Sequence, residues 1–184
     1  MMPFAQVLSK TTVDRAAASS NILVINGHPD PRPERFCAAL CAAYVAGARA
    51  SGTAARLLSV GALPALGPGA DLSKASEALS WATHLELVFP LWLDRAPMQL
   101  RRFLEQLGRA DVLANTSASA IVTMEMPALF QRSPGRSGAD DHAERLGLPG
   151  IVIGNPVFIG SVNVISDACR KDWLSRTHAR GRGD

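Results

Sequence analysis

Five short runs of apolar residues, separated by stretches with helical periodicity, constrain the fold of this chain more than any other feature. The first run, Asn21–Ile25, is continuous, rich in β-branched side chains and followed directly by Asn26 and Gly27. A strand buried on both faces has this composition. The other runs cover residues 54–60, 84–89, 119–124 and 151–160, the last with a predicted interruption at Asn155-Pro156. Strands and helices in alternation imply a parallel sheet with right-handed crossovers on both faces.

The segment after the first strand predicts an amphipathic helix. Pro33 is placed in the first helical turn, where its missing N–H has no partner to lose. Apolar residues then follow at helical spacing, at Phe36, Leu40, Tyr44 and Ala48. Gly52 marks the end of the helix, since glycine readily adopts the conformation that follows a helix C-terminus.

The remaining helices are predicted from the same start and stop signals. Asp71 is the expected N-cap of the second helix, after a loop rich in glycine and proline. Pro97 opens the third helix, which ends at Gly108, and Ser166 caps the last one. One further short helix is predicted near residues 140–146, within a polar segment rich in glycine.

Length and composition restrict the class of protein. A chain of 184 residues fits one domain, so residues 1–20 are interpreted as an N-terminal tail and residues 21–184 as the domain. No apolar run approaches the roughly 18 residues that span a bilayer, so no membrane insertion is expected. The net charge is +3 without a basic stripe and interleaved aromatics, which argues against nucleic acid as a partner. Three cysteines, with no metal-binding pattern and no secretion signal, suggest reduced thiols in the cytoplasm.

Ligands of open parallel sheets bind beyond the carboxyl ends of the strands, which directs attention to three loops. The first loop, residues 26–37, leads into a helix N-terminus whose free N–H groups and dipole favour a phosphate. His28 and Arg35 add possible donors there. The chain contains neither GxGxxG nor GxxxxGK[ST], so the usual dinucleotide loop and the P-loop are both absent. The alternative interpretation is a turn stiffened by proline that carries surface charges.

The second and third loops have apolar and polar features that suit a flat ring. Residues 89–97 contain Trp92 and follow a strand, so they present apolar and aromatic side chains at its end. Thr123, in the third loop, is able to hydrogen-bond a ring edge. The alternatives are that Trp92 covers the core and that Met124 and Met126 are core residues at an ordinary strand end.

Four short motifs occur in a fixed order between about residues 21 and 182. They are Asn26-Gly27-His28-Pro29 with Phe36-Cys37, Phe89-Pro90-Leu91-Trp92 with Ala96-Pro97-Met98, Thr123-Met124 with Pro127, and the stretch S-D-A-C-R-K-D-W-L from Ser166 to Leu174. In this order they resemble the flavodoxin-like NAD(P)H:quinone oxidoreductase family. That family includes ancillary subunits of glutathione-gated potassium efflux systems.

The resemblance implies a fold, an activity and partners. The fold is an α/β, doubly wound, five-stranded parallel sheet of order 2-1-3-4-5 with helices on both faces. The activity is hydride transfer from NAD(P)H to a flavin and then to a quinone or a similar acceptor. FMN is the expected flavin, and FAD is the alternative. Family members are usually homodimers in which the active site is completed across the interface.

The resemblance also assigns residues to the flavin by their position in the motifs. Those expected around the phosphate are His28, Arg35, Phe36 and Cys37. Those expected along the ribityl chain and the rings are Pro90, Leu91, Trp92 and Leu93. Those expected at the far ring edge are Thr123, Met124 and Glu125. No catalytic side chain is assigned, because the flavin carries the redox chemistry, and no metal site is expected.

The chain departs from the family pattern at several positions. Relatives have a longer stretch containing G-F-A-F where residues 108–118 here lead directly to the fourth strand, which puts acceptor binding and turnover in question. Asp94-Arg95 replaces small residues, Leu93 stands where a second aromatic is common, and Leu129-Phe130 replaces a Tyr or Trp. His142 is interpreted as a surface histidine. Two alternatives stay open: a regulatory subunit of a potassium efflux system with vestigial reductase activity, and an interaction domain without cofactor.

Overall fold

The computed structural model describes residues 20–64, 71–93, 95–108, 116–127, 146–148 and 151–184. The strands are β1 (Asn21–Asn26), β2 (Ala54–Ser59), β3 (His84–Pro90), β4 (Ser117–Thr123) and β5 (Ile153–Ile159). The α-helices within these residues are α1 (Phe36–Ala50), α2 (Ser73–Trp81), α3 (Met98–Gly108) and α4 (Asp167–Arg182), and a 3₁₀ turn covers Val60–Ala62. Among these residues, no helix combines the length and the apolar character that crossing a bilayer requires.

The five strands form one sheet of order β2-β1-β3-β4-β5, and every neighbouring pair is parallel. This confirms the parallel sheet that the alternation of strands and helices predicts and the strand order that the resemblance implies. The order reverses between β1 and β3, so the connections that leave these two strands diverge and open a crevice at their carboxyl ends. The loops that the sequence analysis selected follow β1, β3 and β4 and therefore meet at this edge.

The predicted interruption of the last strand is a bulge within a continuous strand. Ser119 pairs with Gly154 and Ile121 pairs with Val157, so β5 has one more residue than β4 in this interval. The extra residue lies at Asn155-Pro156, where proline has no N–H to donate to the ladder. The bulge thus accommodates the proline within β5, and the strand continues beyond it.

Helices cover both faces of the sheet, as the alternation of strands and helices predicts. On one face, Leu40, Cys41 and Tyr44 of α1 pack with Val24 of β1, and Trp173 of α4 adjoins this cluster. On the other face, the core contains residues from β1, α2, β3 and α3, namely Leu23, Ile25, Leu79, Leu85, Leu87, Leu100 and Phe103. Successive β1 residues point to opposite faces, so both faces of the strand are buried, as its apolar run indicates.

Two predicted helix starts differ from the structure. Pro33 lies in a turn that Arg35 N–H closes on Arg32 O at 3.1 Å, and α1 begins only at Phe36. The reason is local, because the carboxylate of Asp30 holds both arginines and fixes the turn ahead of the helix. Asp71 precedes the N-cap of α2, which is Leu72, but Asp71 Oδ1 still accepts from Ser73 N–H at 3.0 Å. This side-chain turn uses the first free donor, so the helix starts at Ser73.

Several interpreted segments lie outside the described residues. They are residues 1–19, 65–70, Asp94, 109–115, 128–145 and 149–150. The predicted tail, the short helix near residues 140–146, most of the shortened segment, Leu129-Phe130 and His142 fall there. The division of the chain into a tail and one domain stays a prediction.

A buried carboxylate connects the sheet to the last helix. The sequence did not predict this carboxylate as a structural feature. Glu86 in the central strand β3 is fully buried, and its Oε2 accepts from Ser119 Oγ at 2.5 Å and from Arg180 Nε at 3.3 Å. His84 lies beside this group and hydrogen-bonds the hydroxyls of Ser117 and Ser119. Arg180 is partly exposed, whereas the Glu86 carboxylate is fully buried, so loss of Arg180 would remove a cation from a carboxylate that water does not reach. The pair therefore fixes α4 against the centre of the sheet.

Candidate functional site

A cavity of about 420 Å³ opens at the carboxyl ends of β1, β3 and β4. Its volume lies within the range typical of small-molecule sites. The residues that line it are His28, Glu34, Arg35, Phe36, Cys37, Pro90, Leu91, Trp92, Thr123, Met124, Glu125, Val162, Asn163 and Arg170. Ten of the eleven residues that the sequence assigned to a flavin line this one cavity. The topology brings these residues together, because the loops that follow parallel strands all start at the same edge of the sheet.

Leu93 is the predicted site residue that does not line the cavity. Its side chain is 99% exposed, and its backbone has a φ of +48°, which is unusual for a leucine. Trp92 and Arg95 exchange both backbone hydrogen bonds at 3.0 Å, so Leu93 stands at the tip of a tight turn. The turn directs Trp92 to the cavity and Leu93 to solvent, which periodicity along the sequence does not predict.

Backbone contacts fix the ring of His28 at the entrance of the first loop. His28 N–H donates to Asn26 Oδ1 at 3.1 Å, and His28 Nδ1 accepts from Asp30 N–H at 3.0 Å. The ring packs edge-on against Trp92, with 5.9 Å between the centroids and 79° between the planes. Because Nδ1 accepts, the neutral ring carries its proton on Nε2. Burial lowers the pKa of His28, and the Arg35 charge acts in the same direction.

Gly27 permits the close packing of this loop. A Cβ at this position would lie 2.6 Å from Leu100 Cδ2 and 3.0 Å from Phe89 Cβ. Gly61 has a similar role from the other side, because its Cβ would lie 2.3 Å from Pro29 O. The glycine of the Asn26-Gly27 motif is thus required by contact with β3 and α3 rather than by an unusual φ.

An ion cluster stabilises the turn that precedes α1. Asp30 accepts from Arg32 and Arg35, and each pair has an N–O distance of 2.6 Å. Hydrogen bonds from Arg32 hold the pKa of Asp30 well below its usual range, and Arg35 adds to this effect. Arg35 is also the N-cap of α1. Its guanidinium is therefore held at the cavity wall beside the start of the helix.

The first turn of α1 presents backbone donors to the cavity. The N–H groups at the start of a helix have no partner within the helix, and the dipole makes this end positive. Phe36 and Cys37 occupy this turn and line the cavity. Cys37 Sγ lies 3.4 Å from Thr123 Oγ1, which joins the first loop to the end of β4. Burial raises the pKa of Cys37 to about 11, so this residue is a neutral thiol and not a nucleophilic thiolate.

The opposite wall is apolar and aromatic. Pro90 and Leu91 are buried at the end of β3, and Trp92 is 46% exposed. Leu91 N–H donates to Thr123 O at 2.7 Å, so the loop continues the ladder between β3 and β4. The cavity therefore has a positive end at α1 and a flat apolar wall at β3. An elongated ligand with an anionic end and a planar ring system matches this arrangement.

Comparison with known proteins agrees with this architecture. Residues 20–173 match the family model described as flavodoxin-like fold. The chain belongs to the flavodoxin-like family. This confirms the family and the fold class that the sequence motifs indicate. No curated protein sequence gives a significant match.

Solved structures share the flavodoxin-like fold at low sequence identity. NAD(P)H:quinone oxidoreductase from Methanothermobacter marburgensis is 16% identical with a TM-score of 0.67, covering 90% of this chain and 96% of that one. Azoreductase from Bacillus anthracis is 14% identical with a TM-score of 0.61, covering 90% and 100%. General stress protein 14 from Treponema denticola, solved in complex with FMN, is 15% identical with a TM-score of 0.58, covering 89% and 96%. At these identities the likeness shows the fold.

Four residues of the flavodoxin-like cavity were not assigned from the sequence. They are Glu34, Val162, Asn163 and Arg170. Arg170 belongs to the S-D-A-C-R-K motif, which the sequence analysis used for the resemblance but not for the site. Val162 and Asn163 follow the end of β5, so the carboxyl-end rule would have selected this loop as well. No group of three or more His, Cys, Asp and Glu within the described part of the chain is arranged to hold a metal ion.

Proposed function

We propose that the cavity binds FMN and that the protein is a flavin-dependent oxidoreductase which uses NAD(P)H. The observation that supports this proposal is that one cavity combines hydrogen-bond donors for a phosphate with an apolar wall for a ring. The first turn of α1, with Arg35, supplies donors for a phosphate, and Leu91 with Trp92 supplies an apolar wall for a planar ring. FAD remains the alternative flavin.

The residues present fit a flavin mononucleotide by chemistry and by position. His28, Arg35, Phe36 and Cys37 would surround the phosphate, with backbone N–H groups and one guanidinium as donors. Pro90, Leu91 and Trp92 would cover the rings, while Thr123, Met124 and Glu125 would meet the far ring edge. When bound, FMN supplies the hydride-transfer chemistry. The chain binds, orients and shields it, and the neutral His28 offers an Nε2–H donor at the entrance.

The acceptor and the assembly are further parts of the proposal. A quinone or a similar small molecule is the proposed acceptor, supported by the motif resemblance and by the quinone oxidoreductase and azoreductase that share the fold. A homodimer is proposed from the same resemblance. We also propose a cytoplasmic location, because Cys37, Cys41 and Cys169 are all free thiols, as a reducing compartment favours.

The test is to purify the protein, add FMN and record the visible spectrum before and after anaerobic addition of NADPH or NADH. The expected result is stoichiometric flavin binding and bleaching of the flavin bands by at least one nicotinamide. Replacing Trp92→Ala is expected to weaken FMN binding about two- to tenfold, since the aromatic contact is lost. Met98→Ala, at an exposed methionine that does not line the cavity, is the matched control. A colourless protein that takes up neither FMN nor FAD overturns the proposal.

A further inference from the structure

Arg170 is a cation of the cavity that the flavin motifs do not assign. It lies in the first turn of α4, and its Nη2 donates to Val162 O at 2.7 Å. Its Cζ lies 5.0 Å from the centre of the Phe36 ring, and Phe36 is the first residue of α1. A carbonyl and an aromatic ring thus hold the guanidinium beside the free N–H groups of α1.

Arg35 and Arg170 differ in whether a carboxylate neutralises their positive charge. Arg35 shares the carboxylate of Asp30, whereas Arg170 takes part in none of the ion pairs among the described residues. Two carboxylates, Glu34 and Glu125, also line the cavity, and neither is within salt-bridge distance of Arg170. The side chain therefore offers an uncompensated positive charge with a fixed plane at the phosphate end of the cavity.

A guanidinium in this position distinguishes between the phosphate groups of different flavins. The terminal phosphate of FMN is a monoester with three free oxygens and a charge of about −1.5 to −2 at pH 7, as for other phosphate monoesters. The phosphate at the same position in FAD is linked on both sides, so it has two free oxygens and one charge. Arginine binds phosphate through paired N–H groups, and the attraction grows with the charge of the anion.

We infer that Arg170 makes the cavity selective for a flavin that ends in a phosphate monoester, so that FMN binds more tightly than FAD or riboflavin. Arg35 and the first turn of α1 meet the phosphate from one side, and Arg170 meets it from the side of α4. This inference rests on the proposed function, because it names the flavin that the same cavity takes.

Binding of three flavins to the flavin-free protein tests the inference. FMN, FAD and riboflavin are titrated separately, and flavin fluorescence reports the dissociation constant of each. The wild type is expected to bind FMN most tightly. Arg170→Gln is expected to weaken FMN binding about tenfold to a hundredfold, the effect of losing a hydrogen bond to a charged group. Riboflavin has no phosphate, so its dissociation constant is expected to stay unchanged.

Two further variants separate charge from folding. Arg176→Gln removes an exposed arginine of the same helix, one that pairs with Asp172 at 2.8 Å and does not line the cavity, so it is expected to keep wild-type affinities. Arg170→Lys keeps the charge and is expected to lose less FMN affinity than Arg170→Gln. Thermal unfolding of each variant shows whether the fold is retained.

The outcomes distinguish this inference from the proposed function. A wild type that prefers FAD, or an unchanged ratio of FMN to riboflavin affinity in Arg170→Gln, overturns the role of Arg170 and leaves flavin binding intact. Loss of riboflavin binding together with FMN binding in a folded Arg170→Gln protein also overturns the role. A wild type that binds none of the three flavins overturns the proposed function, and this inference with it.

Discussion

At the scale of single residues, the cavity depends on side chains whose protonation is set by local contacts. His28 accepts a hydrogen bond from the Asp30 N–H, and the ring packs against Trp92. The hydrogen bond accepted by Nδ1 requires the neutral ring, and burial lowers the pKa of His28 in the folded state. Protonation would place a proton on the nitrogen that now accepts. The first loop is therefore expected to be sensitive to acid at this residue.

The pH dependence of stability follows from the sign of this shift. A histidine with a lowered pKa contributes stability that is fully present above its unfolded pKa of about 6.5 and is lost as the pH falls through the folded value. The unfolding free energy is expected to fall between pH 7 and pH 5, and to fall less in His28→Asn. Urea unfolding at a series of pH values measures this. The same pH dependence in both proteins would contradict the prediction.

Cys37 is a second residue whose chemistry is decided by burial. With a pKa raised to about 11, Cys37 stays a thiol at neutral pH, and burial also raises the pKa of Cys41. Iodoacetamide at pH 8 is expected to modify the half-buried Cys169 first and to leave Cys37 and Cys41 unmodified in the folded protein. Mass spectrometry locates the adducts. Unfolding in urea is the control, since all three cysteines then react, and rapid labelling of folded Cys37 would refute the assignment.

At the scale of elements, the start of α4 follows from its cap. Ser166 is the N-cap, and its Oγ accepts from Cys169 N–H at 3.2 Å. Asp167 in the first turn also suits the positive end of the helix dipole. This cap sets the position of the first turn, which contains Arg170. The residue at which the loop after β5 ends and α4 begins is therefore set by the local sequence.

Replacing Ser166→Ala is expected to lower the free energy of unfolding by about 1 kcal/mol, because one helix N–H loses its acceptor. Ser175→Ala is the matched control, since Ser175 is exposed in the middle of the same helix and alanine has a higher helix propensity there. Chemical unfolding measures both changes. Equal effects of the two substitutions would show that the cap does not stabilise the helix.

At the scale of the whole molecule, α1 and α4 touch through two glycines. A Cβ on Gly47 would lie 2.0 Å from His178 O, and a Cβ on Gly181 would lie 2.2 Å from Tyr44 O. Each glycine therefore allows the backbone of one helix to lie against the backbone of the other. Phe36 is the first residue of α1 and Arg170 lies in the first turn of α4, so the separation of the two helices also sets the distance between these residues.

Gly181→Ala is expected to destabilise the protein by about 1–3 kcal/mol, because the methyl group overpacks the crossing and outweighs the gain in helix propensity. Gly154→Ala is the control, since the nearest atom to its Cβ is Ala118 O at 3.7 Å, an ordinary contact. Thermal unfolding compares the two. If Gly181→Ala is as stable as Gly154→Ala, the close crossing does not limit the packing.

Local patterns in the sequence predicted the parallel sheet and the three loops, whereas the strand order was implied by the family resemblance. The apolar run at Asn21–Ile25 fixes a strand buried on both faces, and parallel pairing then brings the loops to one edge. Helix starts were less accurate, as at Pro33, because the Asp30 ion cluster holds the turn outside the helix. The exposure of Leu93 also escaped prediction, since a tight turn and not periodicity sets its direction.

By itself, the sequence determined the alternation of strands and helices, the motifs of the family and ten residues of the cavity. Only the tertiary structure decided that Arg170 stacks on Phe36, that Glu86 pairs with Arg180, and that Leu93 faces solvent. The physical reason is range. Periodicity, caps and turn residues act within a few positions along the chain, whereas these contacts join segments that only the assembled sheet and its helices bring together.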